Sequence, residues 1–128
     1  MIKAFLGSVA LAMASFSAVA QTSYPQKPVR LMVGAGPGGG TDIAIRLLAE
    51  IAEPMLGQKL VVVNKPGGGG LIGMAQVVAA KPDGYTLGGL WNAPLTMTPH
   101  MQQAPYTPND YVAISLADSA PTVMCAKP

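Results

Sequence analysis

Apolar and polar positions in this chain follow a repeated order: a short apolar run, a glycine-rich stretch, then a longer segment with helical spacing. Val29 to Val33 is apolar except at Arg30 and is bounded by Pro28 and Gly34, which predicts a strand. Its nearly continuous apolar character suits a buried, parallel strand. Past Gly34 to Gly40, the residues Ala44, Leu47, Leu48, Ile51 and Met55 recur at helical spacing, with Arg46, Glu50 and Glu53 on the other side; this predicts a helix. Thr41 or Asp42 is the expected cap. Pro54 is expected to kink or interrupt the last turn, and Gly57 is a natural C′ residue.

The unit then repeats. Leu60 to Val63 predicts a second strand, Asn64 to Gly70 a second glycine loop, and Leu71 to Ala80 a second helix with Ile72, Ala75, Val78 and Ala79 on one face. Lys81-Pro82-Asp83-Gly84 is a turn. Tyr85 to Leu90 predicts a third strand, followed by the loop Trp91-Asn92-Ala93-Pro94. Residues 95–110 are interrupted by prolines and leave room for one helical turn. Tyr111 to Ala117 and Thr122 to Ala126 are two further strand candidates. Alternating strands and helices predict an α/β fold with a mostly parallel sheet. Right-handed crossovers would bring the loops after the first three strands to one edge, the carboxyl edge where open α/β sheets bind ligands.

Ahead of this pattern, Met1 to Ala20 has the form of a cleaved secretory signal peptide. Lys3 supplies the positive charge, Ala4 to Phe16 the apolar stretch, and Ala18-Val19-Ala20 the small residues before a cut at Gln21. The alternative is a short membrane anchor, but the run is short for a span of roughly 20 residues, and no lipobox cysteine follows it. Cleavage removes Lys3 from a formal net charge of +2 and much of the apolar excess in a chain that is 50% hydrophobic. The few Lys and Arg leave no basic footprint for nucleic acid. One Cys excludes a disulfide framework or a cysteine zinc site. In its apolar setting, Cys125 reads as a buried strand cysteine. The 15 Gly and 12 Pro are clustered, marking specialised loops rather than low complexity.

Gly36-Pro37-Gly38-Gly39-Gly40-Thr41-Asp42 carries the clearest chemical signal. Loop glycines allow close backbone approach, and the following helix offers unpaired N–H groups and a positive dipole end. Together these make an anion site. Asn64-Lys65-Pro66-Gly67-Gly68-Gly69-Gly70 repeats the arrangement before the second helix. Gly34, Gly36 and Gly39 also match the dinucleotide spacing G-x-G-x-x-G, but Asn64 stands where an acidic ribose acceptor is usual. A P-loop needs Gly-Lys-Ser/Thr, and Gly40-Thr41-Asp42 has no lysine. A carboxylate receptor working through helix N-termini, and glycines that only make tight turns, are the other readings. The alternative from a different class is a secreted nucleotide-binding or enzyme domain using Gly34 to Gly39.

The ordered set of motifs adds to this. Tyr24-Pro25-x-Lys27-Pro28-Val29-Arg30-Leu31, Pro37 to Asp42, Leu56-Gly57-Gln58, Val63 to Gly70 with Ile72-Gly73, and Pro82 to Leu87 occur in sequence. Over residues 22–128 the chain resembles the Bug family, the periplasmic solute receptors of tripartite tricarboxylate transporters. The resemblance implies a two-lobed, Venus-flytrap (type II) periplasmic binding protein with no catalysis and no cofactor. Its ligand would be a small mono-, di- or tricarboxylate held in the cleft. Its partners would be the transporter's membrane subunits, and it would be a monomer at full length. Carried over, the ligand-binding positions are Gly38, Gly39, Gly40, Thr41 and Asp42, then Gly68, Gly69 and Gly70, with Trp91, Asn92 and Ala93 facing the same cleft. Asp42 could instead serve the helix dipole, orient a bridging water or meet a ligand amino group.

The sequence departs from the family pattern. Gly34 and Ala35 replace a common Pro and aromatic, Lys65 and Gly68 replace Arg and Ala, and Leu71 replaces a polar residue. Family members are about twice as long or more, so residues 21–128 are expected to form the first lobe, truncated before a second domain. His100, the lone histidine, reads as a surface or loop residue because metal sites need several converging ligands. The eight Met residues read as core filler. No nucleophile–base set can be assembled, so no enzyme is expected.

Overall fold

The computed structural model of the chain describes residues 24–117 together with Ser119 and Ala126. Strands β1 (Val29–Val33), β2 (Leu60–Asn64) and β3 (Thr86–Gly89) form a parallel sheet in the order β2-β1-β3. Helix α1 (Gly40–Leu56) connects β1 to β2, and α2 (Leu71–Val78) connects β2 to β3. Beyond β3, a wide helical turn over Ala93–Met97 runs into the short α3 (Thr98–Met101). β1 lies in the middle because its apolar side chains can be covered from both faces. Val29, Leu31 and Val33 pack with Ile45 and Ala49 of α1, and Met32 is buried on the opposite face, where α2 lies. The central parallel strand thus follows its nearly continuous apolar run, broken only by the exposed Arg30.

The stop signal of α1 is the expected one. Gly57 adopts a left-handed conformation (φ 66°) and its N–H donates to the Glu53 carbonyl at 3.0 Å. Pro54 sits inside the last turn, which continues to Leu56.

Other details correct the sequence reading. The N-cap of α1 is Gly39, with no side-chain cap bond, in place of Thr41 or Asp42. The buried stripe of α1 is Asp42, Ile45 and Ala49. Leu47, Leu48, Ile51 and Met55, expected to face the core, are exposed. In α2 the buried residues are Gly73 and Met74, whereas Ile72 is half exposed. The reason lies at the helix starts. Asp42 is fixed by polar bonds at the sheet edge, which sets the rotation of α1. At Gly73 a Cβ would lie 2.8 Å from the Gly34 Cα, so α2 meets the first residue after β1 at the position that allows the closest approach.

Met32 and Met74 fill the core, but Met55, Met97 and Met101 are exposed, so core filling holds for only some methionines. Tyr111 to Ala117 does not form a strand, and Val112, Ile114 and Leu116 are 88%, 77% and 83% exposed. Alternation supplies a strand pattern, but a strand also needs a ladder partner. Tyr106 and Tyr111 hold the preceding segment to the wide turn by donating to the carbonyls of Pro94 (2.6 Å) and Leu95 (3.0 Å). The signal-peptide reading of Met1 to Ala20 and most of the strand candidate Thr122 to Ala126, including Cys125, lie outside the described residues.

Candidate functional site at the carboxyl edge of the sheet

The glycine loops occupy the carboxyl ends of β1 and β2. In the first, Gly38 has φ 78° and the Gly39 N–H donates to the Gly36 carbonyl at 3.2 Å. The α1 ladder begins with the Ile43 N–H, which donates to the Gly39 carbonyl at 3.0 Å. Helix geometry therefore leaves the N–H groups of Gly40, Thr41 and Asp42 without an intrahelical acceptor, at the positive end of a 17-residue helix. A Cβ at Gly36, Gly38 or Gly40 would meet nothing within 4 Å, so this side of the loop is open.

Asp42 plays a structural part in this loop. Its carboxylate is buried (2% exposed). It accepts from the Gly38 N–H at 2.8 Å, from Arg46 Nε at 3.0 Å and from Asn64 Nδ2 at 2.7 Å. Asn64 Nδ2 also donates to the Ala35 carbonyl at 3.1 Å, and its Oδ1 accepts from the Arg46 guanidinium at 2.9 Å. The bonds from Arg46, Asn64 and Gly38 hold the Asp42 carboxyl far below the usual carboxylate range. The negative charge needed at the helix start is thus built in and neutralised by Arg46, and the loop is tied to the end of β2. Asp42 lies in the first turn of α1, and these bonds join it to the loop, to Arg46 and to the end of β2. The Asp42–Arg46 pair was visible as an i,i+4 spacing. The part of Asn64 was missed, because only folding brings the end of β2 beside the first loop.

The second loop is not a copy of the first. Gly67 to Gly70 all have positive φ (126°, 57°, 64° and 94°). This coil turns the start of α2 back on itself: the Gly70 N–H donates to the Gly67 carbonyl at 3.0 Å, and the Leu71 N–H to the Gly68 carbonyl. Those donors are used internally, unlike the first-turn donors of α1. Gly34, the first glycine of the dinucleotide-like spacing, is packed here: a Cβ would lie 3.2 Å from the Gly70 Cα and 2.7 Å from a Leu90 methyl. It serves loop packing, leaving Gly36 and Gly39 in the first loop.

The segment after β3 joins the second loop. A Cβ on Gly70 would lie 3.0 Å from the Trp91 ring and 2.9 Å from Pro94. Gln102 Nε2 donates to the Gly68 carbonyl at 3.3 Å, a contact between residues 34 apart that no local pattern signals. Asn92 is exposed; its carbonyl accepts from the Thr96 hydroxyl at 3.0 Å, and Ala93 opens the wide turn. Gly68, Gly69, Gly70, Trp91, Asn92 and Ala93 therefore form one neighbourhood. Gly38, Gly39, Gly40, Thr41 and Asp42 form another, bridged to it through Asn64 and Gly34. Among the described residues no group of three or more His, Cys, Asp or Glu could hold a metal ion. No described helix is long and apolar enough to cross a membrane.

Comparison with known proteins places this architecture among periplasmic binding proteins. A structure described as a periplasmic transporter is 40% identical, with a TM-score of 0.56, covering 66% of this chain and 29% of that one. R. palustris Rpa4515, solved with adipate, is 35% identical with a TM-score of 0.50, covering 51% of this chain and 22% of that one. A UPF0065 protein of Bordetella pertussis is 40% identical over 124 residues, 96% of this chain and 38% of its own length. BugT from the same organism is 36% identical over 113 residues, 86% of this chain and 35% of BugT. Residues 44–128 match the TctC family, described as the tripartite tricarboxylate transporter family receptor. The chain belongs to this family of receptors, which are binding proteins and not enzymes. It spans well under half the length of these relatives, 38% of the first.

Proposed function

We propose that residues 21–128 are the first lobe of a periplasmic receptor that captures a small mono-, di- or tricarboxylate for a tripartite tricarboxylate transporter. The observation that carries this reading is the open first turn of α1. There the N–H groups of Gly40, Thr41 and Asp42 have no intrahelical acceptor, and a counter-charge is already supplied by Arg46. A ligand carboxylate there would gain charge-assisted hydrogen bonds from the amides and the Thr41 hydroxyl. Gly38 and Gly39 would let it approach, and Asp42 would hold the loop in shape. Gly68, Gly69, Gly70, Trp91, Asn92 and Ala93 would line the facing side. Met1 to Ala20 would direct export and be cleaved. A second lobe and the transporter's membrane subunits would complete the system, and no cofactor takes part.

Residues 21–128 supply one side of the proposed cleft and should bind weakly by themselves, so the test is amide chemical-shift mapping during titration with adipate and citrate to tens of millimolar. Shifts at Gly39, Gly40, Thr41 and Asp42 are expected. Nucleotide-induced shifts in these loops, with none from either carboxylate, would overturn the reading.

A further inference from the structure

The opposite edge of the sheet carries a second feature. Val61, Arg30 and Thr86 are register partners across β2, β1 and β3, so they form one row on one face. It is the face covered by α2, since two residues on in β3 Gly88 meets the Val77 side chain. Helix α2 has only 8 residues, about 12 Å of length. It starts at the carboxyl edge and stops before this row, whereas the 17 residues of α1 run about 25 Å along the other face. The uncovered row is the floor of an open cavity of about 640 Å³, walled by Lys27, Lys81 and Asp83.

Its charge is unbalanced. Three of the chain's eight Lys and Arg line it against one carboxylate. The ion pairs of the described residues, Arg46–Asp42 and Lys59–Glu53, involve none of the three. Asp83 is partly used, accepting the Tyr85 N–H at 3.0 Å. Two of the cations are held in place: Arg30 donates to Thr86 Oγ1 at 3.2 Å, and Lys27 Nζ lies 4.2 Å from the centre of the Tyr85 ring. The Arg30 fork retains further N–H donors suited to paired oxygens. A cavity of this size admits a ligand larger than a single phosphate or carboxylate.

We infer that this cavity is a second anion site, separate from the glycine loops, that takes a small polyanion with two or more phosphoryl or carboxyl groups. Arg30 on the sheet row, with Lys27 and Lys81 beside it, supplies the charge complementarity, and the guanidinium supplies geometric selection.

The test maps amide shifts with inorganic pyrophosphate and, separately, with citrate as the polycarboxylate probe. Shifts at Arg30, Lys81 and Thr86 are expected, and pyrophosphate alone, citrate alone or both identify the acid group preferred. Arg30→Gln with Lys81→Gln should weaken binding at these amides at least tenfold. Lys59→Gln, which removes a charge elsewhere, should change it less than twofold. Gly39→Val should leave it intact, which separates this site from the carboxylate reading of the first loop. No saturable shift at Arg30 and Thr86 with either probe, or equal weakening by Lys59→Gln, would overturn the inference, the latter by showing unspecific attraction. Binding only of a longer acidic peptide would also overturn it, by making the surface a protein contact.

Discussion

Asn64, the last residue of β2, donates its side-chain amide to the Asp42 carboxylate at 2.7 Å and thereby ties the first glycine loop to the neighbouring strand. The same carboxylate receives the Gly38 N–H and Arg46. Asp42→Asn should therefore disturb the loop even though the size is kept, because an amide cannot accept three donors on two carboxylate oxygens. Thermal unfolding should show Tm lower by about 5 °C or more for a domain of this size, with amide shifts spreading from Gly38 to Ala35. An unchanged Tm and unchanged loop shifts would show that the network is incidental.

The same bonds fix a pH dependence. The folded Asp42 carboxyl lies well below its unfolded value of about 4. A depressed acid stabilises the fold fully above the unfolded value and loses that contribution as pH falls towards the folded one. Glu53 shifts the same way, through the Leu60 N–H and Lys59. Urea midpoints should therefore be flat from pH 7 to 5 and fall below about pH 4. The acid limb should be shallower in Asp42→Asn, and less so in Glu53→Gln. Identical acid limbs in all three proteins would sink this assignment.

The rotation of α1 gives a sharper contrast. Ile45 is 8% exposed and packs against β1 and Gly89, whereas Leu47, two residues on, is 57% exposed. Ile45→Ala should cost about 2–4 kcal/mol through lost burial and a residual cavity. Leu47→Ala should change stability by less than about 0.5 kcal/mol. Denaturant unfolding of both variants decides which helix face meets the sheet, and equal losses would contradict the packing described.

That contrast also marks where the sequence was legible. The strands, the glycine loops and the Gly57 stop were readable because each rests on local chemistry: β-rich runs, positive φ and a C-terminal cap. The buried face of α1 was not, because apolar residues stand on more than one side of it and the choice is made by Asp42, whose partners include the first loop and the end of β2. The inward coil of Gly67 to Gly70 was likewise hidden. A run of glycines signals freedom of φ but not which carbonyls it will bring to the helix start. Tyr111 to Ala117 carried the right alternation without a strand to pair with among the described residues. The candidate site positions were legible as loop residues, and the structure adds which donors are open and which are already used.

Gly39→Val tests the first loop directly. Gly39 has φ −70°, which any residue tolerates, and a Cβ would sit 3.2 Å from the Gly36 carbonyl, a contact relieved by a small shift. The fold should survive, while the branched side chain crowds the amides of Gly40 and Thr41. Carboxylate-induced shifts there should vanish in a protein whose remaining spectrum is unchanged. Undiminished carboxylate affinity would show that ligand is held elsewhere.

Gly73 reverses an ordinary helix rule. Replacing a helical Gly by Ala normally stabilises by roughly 1 kcal/mol. At Gly73 the new Cβ would lie 2.8 Å from the Gly34 Cα and 3.2 Å from the Lys65 carbonyl oxygen, both backbone atoms that cannot rotate away. Overpacking of this kind costs about 1–3 kcal/mol, so the clash outweighs the propensity gain. Gly40→Ala, at the start of α1 with nothing within 4 Å of the new Cβ, should be neutral or slightly stabilising. Because Gly73 sets the separation of α2 from β1, Gly73→Ala should also move the amides of Gly34 and Gly70. Calorimetric Tm values for the two variants, read beside those amide shifts, test the relation. A Tm for Gly73→Ala at or above the parent value would mean that the helix does not press on the backbone of Gly34 and Lys65.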